Sequence, residues 1–175
     1  MRRLILFRHA KAERAQPGER DRDRRLSERG RADAPKIGAY LVHHALTPDL
    51  VVVSAAARTR ETWQLAASAF ADAPPAVYEE RIYEASPQAI LAVIRATGAP
   101  VGTLLLIGHN PGLHELATLL VATGDVEARQ RLREGLPTSG LAVIDFTVES
   151  WSRLHAHSGR LHRFVSPRLL EAATD

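Results

Sequence analysis

The amino-acid sequence of 175 residues predicts an α/β fold in which helices cover both faces of a mostly parallel central sheet. Four times along the chain, a short apolar run is followed by a turn and then by apolar residues at helical spacing. The first run is continuously apolar, which is typical of a central strand buried on both faces. A chain of this length buries about two-thirds of its unfolded surface, which is enough for three layers. We therefore expect a three-layer αβα sandwich that forms a single domain over residues 1–175.

The first half of the chain holds two of these strand and helix units. The apolar run at residues 4–7 predicts the first strand, and helical spacing predicts a helix over residues 34–46. Ser27 is the expected N-cap ahead of that helix. The second strand is predicted at residues 50–53, and its helix covers residues 56–70.

Two further units follow, and each has a proline at the start of its helix. A weaker strand is predicted to start at residues 77–78 and to lie near residues 79–82, with a helix over residues 87–96 after it. Residues 103–107 predict the fourth strand, and the next helix covers residues 111–120. Gly124 is then expected to break the chain.

The pattern changes after Pro137. Apolar residues alternate over residues 140–148, which predicts one more strand of the sheet. Residues 150–156 and 161–165 flank a turn and are predicted to form a terminal hairpin. The tail after Pro167 is expected to fray.

Composition excludes several classes of protein. The sequence has no cysteine, which excludes disulfides, thiolate metal sites and a cysteine nucleophile. Only four apolar residues separate Arg3 from Arg8, far fewer than in the apolar core of a signal peptide. No stretch approaches the roughly 20 apolar residues of a membrane span. We therefore expect a cytoplasmic protein with no membrane segment.

The formal net charge of +3 is distributed unevenly. Residues 1–35 hold eleven Lys and Arg against six Asp and Glu. This excess could attract nucleic acid, but residues 19–31 alternate their charges and contain no aromatic side chain to stack on bases. A phosphorylated ligand or an acidic protein fits as well, and we expect no nucleic-acid partner.

Reactive side chains follow three of the four predicted strands. Arg8 and His9 end the first strand, Arg58 comes shortly after the second, and His109 follows the fourth. Ligands of open parallel sheets bind at the C-terminal edge of the strands. If these strands are neighbours, two histidines and two arginines meet there and form a cradle for a tetrahedral dianion. Each segment alone fits a solvated loop or an ordinary helix start, whereas their combination favours a functional site.

Three motifs at these strand ends resemble those of the histidine phosphatase superfamily. They are LFRHAK at residues 6–11, SAAARTRET at residues 54–62 and IGHNPG at residues 107–112. The RHAK and GHNP forms, together with DRDRRLSERG at residues 21–30, are similar to the SixA-type phosphohistidine phosphatases. The resemblance extends over residues 3–167 and implies a phosphoglycerate mutase-like fold.

The resemblance also implies a role for each of the four converging residues. His9 would attack phosphorus with a neutral ring nitrogen, while Arg8 and Arg58 hold the non-bridging oxygens. His109 would donate a hydrogen bond to the transferring group, and water would then hydrolyse the phosphohistidine intermediate. Neighbouring cations favour the neutral imidazole, which suits a nucleophile near pH 7. Because the arginines neutralise the phosphate directly, neither a metal ion nor a cofactor is expected.

The general acid is less well defined by the sequence. Glu84 lies 26 residues after Arg58, close to where superfamily members that act on phosphate esters place a carboxylic acid, but its segment also fits an ordinary loop. An ester leaving group needs a proton, and a general acid that supplies it is worth roughly 10²–10⁴-fold in rate. An imidazole that leaves from phosphohistidine can already carry its proton, so a SixA-type enzyme could do without the acid.

The remaining charged and imidazole side chains have weaker claims to a function. Lys11 and Arg24 could extend the positive rim of the site as weak phosphate-binding residues, or they could be solvated surface charges. His155 and His157 would share a strand face, but a third ligand is missing, so no metal site is predicted.

Phosphohistidine on a protein is the favoured substrate. Only 50 residues separate Arg58 from His109, which leaves no room for the large capping insertion of relatives that act on small metabolites. The first alternative is a phosphomonoesterase for a small phosphorylated metabolite, which Glu84 favours. The second is a non-catalytic module that binds a phosphorylated ligand, but it would be expected to lack one of the four core residues, and none is missing.

Overall fold

The apolar runs of the sequence form the strands of a central sheet. The computed structural model describes residues 1–174 and confirms the predicted α/β fold. The strands within these residues are β1 (Arg2–Arg8), β2 (Leu50–Ser54), β3 (Ala76–Glu79), β4 (Thr103–Gly108), β5 (Val121–Gly124), β6 (Leu141–Phe146) and β7 (Gly159–Val165).

Serine hydroxyls set the start of two helices. Ser27 is the N-cap of the first helix, as predicted, because its hydroxyl accepts a hydrogen bond from the Gly30 amide at 3.1 Å. Ser86 caps the third helix in the same way through the Ala89 amide at 3.1 Å. The helices are α1 (Glu28–His43), α2 (Ala57–Ala67), α3 (Pro87–Arg95), α4 (Gly112–Leu120), α5 (Val126–Glu134) and α6 (Pro167–Thr174).

The strands lie in the order β3-β2-β4-β1-β6-β7-β5. β1 pairs with β4, β4 with β2, and β2 with β3, all in parallel. β6 is antiparallel to both β1 and β7, while β5 is parallel to β7. The predicted first, fourth and second strands are therefore neighbours, and Arg8 of β1 lies opposite Gly108 of β4. Their C-terminal ends meet at one edge of the sheet.

Alternate residues of each central strand face opposite layers of helices. In β1, Leu4 and Leu6 belong to the apolar core shared with α3, α4 and α5. Ile5 and Phe7 belong to the other core, which is shared with α1, α2 and α6. All four side chains are fully buried. This arrangement confirms the three-layer αβα sandwich.

β5 and α5 are not predicted from the sequence. Only Ala128 and Leu132 of α5 are buried, so the helix has too few apolar residues to show helical periodicity. Gly124, interpreted as a chain break, is the last residue of β5. Its φ of 136° and its close approach to Leu161 of β7, where an added Cβ would lie 2.5 Å from the carbonyl oxygen, explain the glycine.

The predicted terminal hairpin is wrong. The segment Trp151–Arg153 forms a 3-10 turn rather than a strand. The Trp151 side chain is buried, and its indole N–H donates to the Val101 carbonyl at 2.6 Å. β7 instead lies between β6 and β5 in the sheet. His155 and His157 therefore share no strand face.

Other boundaries also differ from the prediction: α1 covers Glu28–His43 instead of residues 34–46, and α2 ends at Ala67 instead of residue 70. The strand expected to start at residues 77–78 is β3, but it ends at Glu79, and Glu80–Ile82 form a 3-10 turn instead of continuing it. The tail after Pro167 forms α6 instead of fraying, because Leu170 packs against the core. Among the described residues, none of the helices is long and apolar enough to cross a membrane.

Candidate active site

Two histidines and an arginine stand at the adjoining ends of β1 and β4. Arg8 is the last residue of β1, His9 comes next, and His109 follows β4. The His9 amide donates to the Gly108 carbonyl at 3.1 Å, which joins the two strand ends. The imidazole centroids consequently lie 5.3 Å apart, and both rings are buried.

The first turn of α2 brings Arg58 to the same place. The Arg58 residue is only 5% exposed. One turn further on, the Thr62 hydroxyl donates to the Arg58 carbonyl at 2.7 Å and accepts from the Ala10 amide at 3.0 Å. The helix that carries Arg58 is therefore fastened to the residue that follows His9. The structure brings together all four strand-end residues named in the sequence analysis.

Several nitrogens of this cluster are buried without a partner. Arg8 Nε, Arg58 Nε and His109 Nδ1 make no hydrogen bond within residues 1–174. Buried polar atoms in native proteins are nearly always paired, so these groups remain able to form hydrogen bonds with a bound ligand. Two of these groups are guanidinium donors, which favour an oxyanion such as phosphate as the ligand.

The hydrogen bond of His9 defines which ring nitrogen is free to react. Its Nδ1 lies 2.7 Å from the Ala10 carbonyl oxygen. A carbonyl only accepts, so Nδ1 carries the proton and the lone pair resides on Nε2. Burial, together with the charges of Arg58 and Arg8, lowers the pKa of His9 from 6.5 to about 4. The ring is therefore neutral at pH 7 and has a lone pair for attack.

His109 is also neutral at pH 7, and a serine holds its other nitrogen. Burial, with a smaller contribution from His9 and Arg58, lowers the pKa of His109 to about 3. Its Nε2 lies 2.7 Å from the hydroxyl oxygen of buried Ser54. When that hydroxyl donates to Nε2, the ring proton resides on Nδ1, the nitrogen that has no partner. His109 can then donate a hydrogen bond to a bound anion.

The Asp21 carboxylate holds the Arg58 side chain in place, although the sequence predicts no role for Asp21. The Arg58 Nη1 donates to the Asp21 carbonyl at 2.9 Å, and Nη2 donates to the Asp21 carboxylate at 3.1 Å. The Tyr83 hydroxyl donates to the same carboxylate oxygen. Hydrogen bonds from Tyr83, Arg24 and Arg58 hold the pKa of Asp21 well below its usual range. Asp21 lies in the motif at residues 21–30, but only the folded loop shows what it binds.

The two proposed rim residues lie in different surroundings. Arg24 donates to the Asp21 carboxylate at 3.0 Å and to the Glu13 carbonyl at 2.8 Å, and its charge contributes to the lowered pKa of His9. Lys11 is exposed, and its side chain lines a hollow beside the cluster. Arg24 is thus part of the charged network around the site, whereas Lys11 lies outside it.

Tyr83, rather than Glu84, points into the cluster. The Tyr83 ring meets the His109 ring edge to face at 5.4 Å between centroids, and the Arg58 guanidinium lies 5.9 Å from the tyrosine ring. Glu84 is exposed, has a φ of 48° and lines, with His109, a cavity of about 500 Å³ on another side. The sequence predicts a role for Glu84 but not for the neighbouring Tyr83.

Ser139 is a second residue of the site that the sequence does not predict, and it lies beside the backbone of Arg8 and His9. Ser139 is fully buried and has a φ of 59°. Its amide donates to the carbonyls of Arg8 and His9, both at 3.1 Å. It therefore supports the backbone of the reactive pair. Within residues 1–174, no three His, Asp or Glu side chains are grouped so that they could hold a metal ion.

Comparison with known sequences identifies similar proteins over nearly the whole chain. A family model described as the histidine phosphatase superfamily (branch 1) matches residues 4–89. An uncharacterized protein of Mycobacterium tuberculosis is 37% identical over 165 residues, which cover 93% of this chain and 100% of that protein.

Comparison with solved structures gives a consistent result. A SixA protein of Agrobacterium tumefaciens, assigned as a phosphohistidine phosphatase, superposes with a TM-score of 0.81 at 36% identity, covering 95% of this chain and 98% of its own. A SixA protein of Nakamurella multipartitia, with the same assignment, has a TM-score of 0.77 at 29% identity and covers 95% of this chain and 96% of its own. The chain therefore shares both sequence and fold with this group.

Proposed function

The chain belongs to the histidine phosphatase superfamily and has its phosphoglycerate mutase-like fold, and from this premise we propose that it is a metal-independent phosphatase that acts on phosphohistidine in a protein. One observation carries the proposal. His9 is neutral, and within residues 1–174 its Nε2 has no hydrogen bond and the buried Nε groups of the two neighbouring arginines have no partner. That arrangement suits a nucleophile that attacks a bound phosphoryl group.

In the first half-reaction, His9 takes the phosphoryl group. The Nε2 lone pair forms a bond to phosphorus while the bond from phosphorus to the substrate nitrogen breaks. The departing imidazole keeps that electron pair, and it leaves as a neutral ring because its other nitrogen already carries a proton. No carboxylic acid is needed in this step.

In the second half-reaction, water releases the phosphate. The water oxygen forms a bond to phosphorus, the bond from phosphorus to Nε2 breaks, and its electron pair returns to His9. Both hydrogens of the water leave on the phosphate product, and Nδ1 keeps its proton throughout because the Ala10 carbonyl holds it. The nucleophile is thereby restored in its neutral form.

Arg8, Arg58 and His109 stabilise the negative charge of the phosphoryl group as it passes from the substrate nitrogen to Nε2 of His9. Arg8 and Arg58 supply fixed positive charge to the non-bridging oxygens, and Asp21 keeps the Arg58 guanidinium in place. His109 donates from Nδ1 to the transferring group. Because the arginines supply the positive field that a divalent ion provides in metal-dependent phosphatases, we expect turnover without a metal.

The short connection between Arg58 and His109 supports a protein substrate. It consists of the rest of α2, then β3, a 3-10 turn and α3, followed by β4. The connection holds no further helix or strand that could form a separate capping domain, which favours a substrate as large as a protein. A phosphomonoesterase for a small metabolite remains the alternative, and the observation that favours it is the cavity shared by Glu84 and His109.

The test is a comparison of substrates in the presence and absence of EDTA. We expect the highest kcat/KM with a phosphohistidine-bearing protein, compared with an aryl phosphate and a panel of phosphorylated metabolites, and we expect EDTA to have no effect. A metabolite that exceeds the protein substrate would favour the phosphomonoesterase. Activity lost in EDTA and restored by Mg²⁺ or Zn²⁺ would contradict the metal-independent mechanism.

A further inference from the structure

A second cavity adjoins the candidate active site on the side of Arg8. It has a volume of about 590 Å³ and lies between the end of α5, the end of β7 and the start of α6. Its size is within the range of pockets that hold ligands. Arg8 and Asn110 both line it, and both donate to the Leu136 carbonyl, at 3.1 and 2.8 Å. One wall of the cavity is therefore held by a residue of the reactive cluster and by the residue after His109.

The charged side chains of this cavity are mostly cationic. Arg8, Arg131 and Arg168 line it, and Glu134 is the one carboxylate among its described lining residues. Arg168 is exposed and has no ion-pair partner in the described part of the chain. Arg131 pairs with Glu127 at 2.8 Å, but the carboxylate side chain is 71% exposed, and surface pairs of this kind contribute little. Arg131 and Arg168 are therefore both available to bind an anion.

The positive surface continues beyond the cavity. A neighbouring hollow of about 320 Å³ shares Arg168 with it and is also lined by Lys11 and Arg29. The one acid there, Asp33, is buried and lies 3.6 Å from Arg29. A ligand that leaves the active site past Arg8 would consequently meet a row of cationic side chains.

We propose that this cavity binds acidic side chains that flank the phosphorylated histidine of the protein substrate. The inference rests on the proposed function and specifies the partner that the site would select. Because Arg8 belongs to the reactive cluster and also lines this cavity, residues that flank a phosphohistidine bound at the cluster could extend into the cavity. Arg131 and Arg168 supply the charge, and apolar walls such as Phe164 and Leu169 can contact the aliphatic parts of Asp and Glu side chains.

The test measures binding rather than turnover. Two peptides carry the same non-hydrolysable phosphohistidine analogue, one with Asp and Glu in the flanking positions and one with Asn and Gln. Fluorescence anisotropy with the full chain at low ionic strength gives the ratio of the two Kd values. We expect the acidic peptide to bind about tenfold more tightly, and we expect added salt to reduce this preference.

Variants assign the preference to the cavity. The double variant Arg131→Gln, Arg168→Gln should bring the ratio of Kd values close to one. Arg153→Gln is the matched control, because Arg153 is an exposed arginine that does not line the cavity, and it should keep the wild-type ratio. Equal binding of both peptides by the wild-type protein, absence of binding, or a preference that survives in the double variant would overturn the inference.

The binding measurement and the activity assay can fail separately, so a failure of this inference is distinguishable from a failure of the proposed function. A preference for the acidic peptide in a protein that does not hydrolyse phosphohistidine would overturn the proposed function and leave the binding site in place. Hydrolysis of phosphohistidine without a preference for the acidic peptide would support the proposed function and overturn the proposed binding site. If the peptides bind equally but a small bisphosphate binds more tightly than its monophosphate, and the double variant removes that difference, the cavity serves a metabolite and the protein partner is excluded.

Discussion

The protonation of two buried histidines makes both activity and stability depend on pH. The pKa values of about 4 for His9 and about 3 for His109 lie below the ordinary value of 6.5. The unfolded chain therefore binds more protons than the folded protein between pH 6.5 and about 4, and stability falls as the pH is lowered through this range. Activity should decline only near pH 4, where Nε2 of His9 becomes protonated and the nucleophile is lost.

Chemical unfolding at pH 7, 6 and 5 measures the first effect. Each histidine contributes at most about 1.4 kcal/mol per pH unit to the slope of the free energy of unfolding. His9→Gln should reduce the slope, while the exposed His155→Gln should leave it unchanged. An identical slope in His9→Gln and wild type would show that the environment of His9 does not keep it neutral.

Arg58 offers a test of geometry separated from charge. Arg58→Lys keeps the positive charge but removes the planar group whose nitrogens can contact both Asp21 and the phosphoryl oxygens. We expect kcat/KM to fall by about 10²-fold or more, as for the loss of one preorganised donor. Arg60→Lys, in the same helix, is the control. Near-normal kinetics for Arg58→Lys would place Arg58 outside the phosphate site.

At the scale of the elements, the chain is most predictable where burial is complete. β1, β2 and β4 are continuous apolar runs, and such a run directly predicts a strand buried on both faces. α5 is a mostly polar helix with only two buried residues, and β7 alternates without indicating its partners. Pairing between distant strands depends on the tertiary fold. The sequence therefore predicts a terminal hairpin that the fold does not contain.

A glycine at the contact between α1 and α2 links these elements to the site. A Cβ atom added to Gly38 would lie 2.1 Å from the Ala66 carbonyl oxygen, so the two helices would have to separate. Gly38→Ala should therefore destabilise the protein by about 1–3 kcal/mol, as expected of overpacking. Helix propensity alone predicts a gain of up to about 1 kcal/mol.

Thermal or chemical unfolding distinguishes the two effects. Ala39→Gly, at the neighbouring exposed position, measures the propensity contribution in the same helix. A stabilised Gly38→Ala variant would show that α1 and α2 can pack without this close contact. Because α2 carries Arg58, a variant in which α2 is displaced should also have reduced phosphatase activity.

At the scale of the whole molecule, the site is a product of topology. Three separate strands end at one edge of the sheet, and the placement of Arg8, His9, Arg58 and His109 follows from that order. The sequence contains this information because the strands are recognisable and parallel strands share an edge. The contacts of Asp21 depend instead on a loop conformation, which no periodicity in the sequence describes.

In the proposed mechanism, His9 accepts the phosphoryl group and phosphohistidine needs no carboxylic acid to depart. Glu84 is exposed and makes no hydrogen bond to the cluster in the described structure, which fits a minor role with this substrate. With an aryl phosphate ester, Glu84→Gln should slow phosphoryl transfer by roughly 10²–10⁴-fold if Glu84 protonates the leaving oxygen. With phosphohistidine, the same change should have little effect.

Rapid-quench measurement of labelled phosphoenzyme tests this claim most directly. The wild-type protein, Glu84→Gln and His9→Ala are each mixed with a ³²P-labelled phosphohistidine protein and with a labelled ester. We predict an acid-labile phosphoenzyme in the first two proteins at similar rates from phosphohistidine, and no phosphoenzyme in His9→Ala from either substrate. A labelled His9→Ala protein would contradict the account, as would a Glu84→Gln variant that slows transfer from phosphohistidine as severely as transfer from the ester.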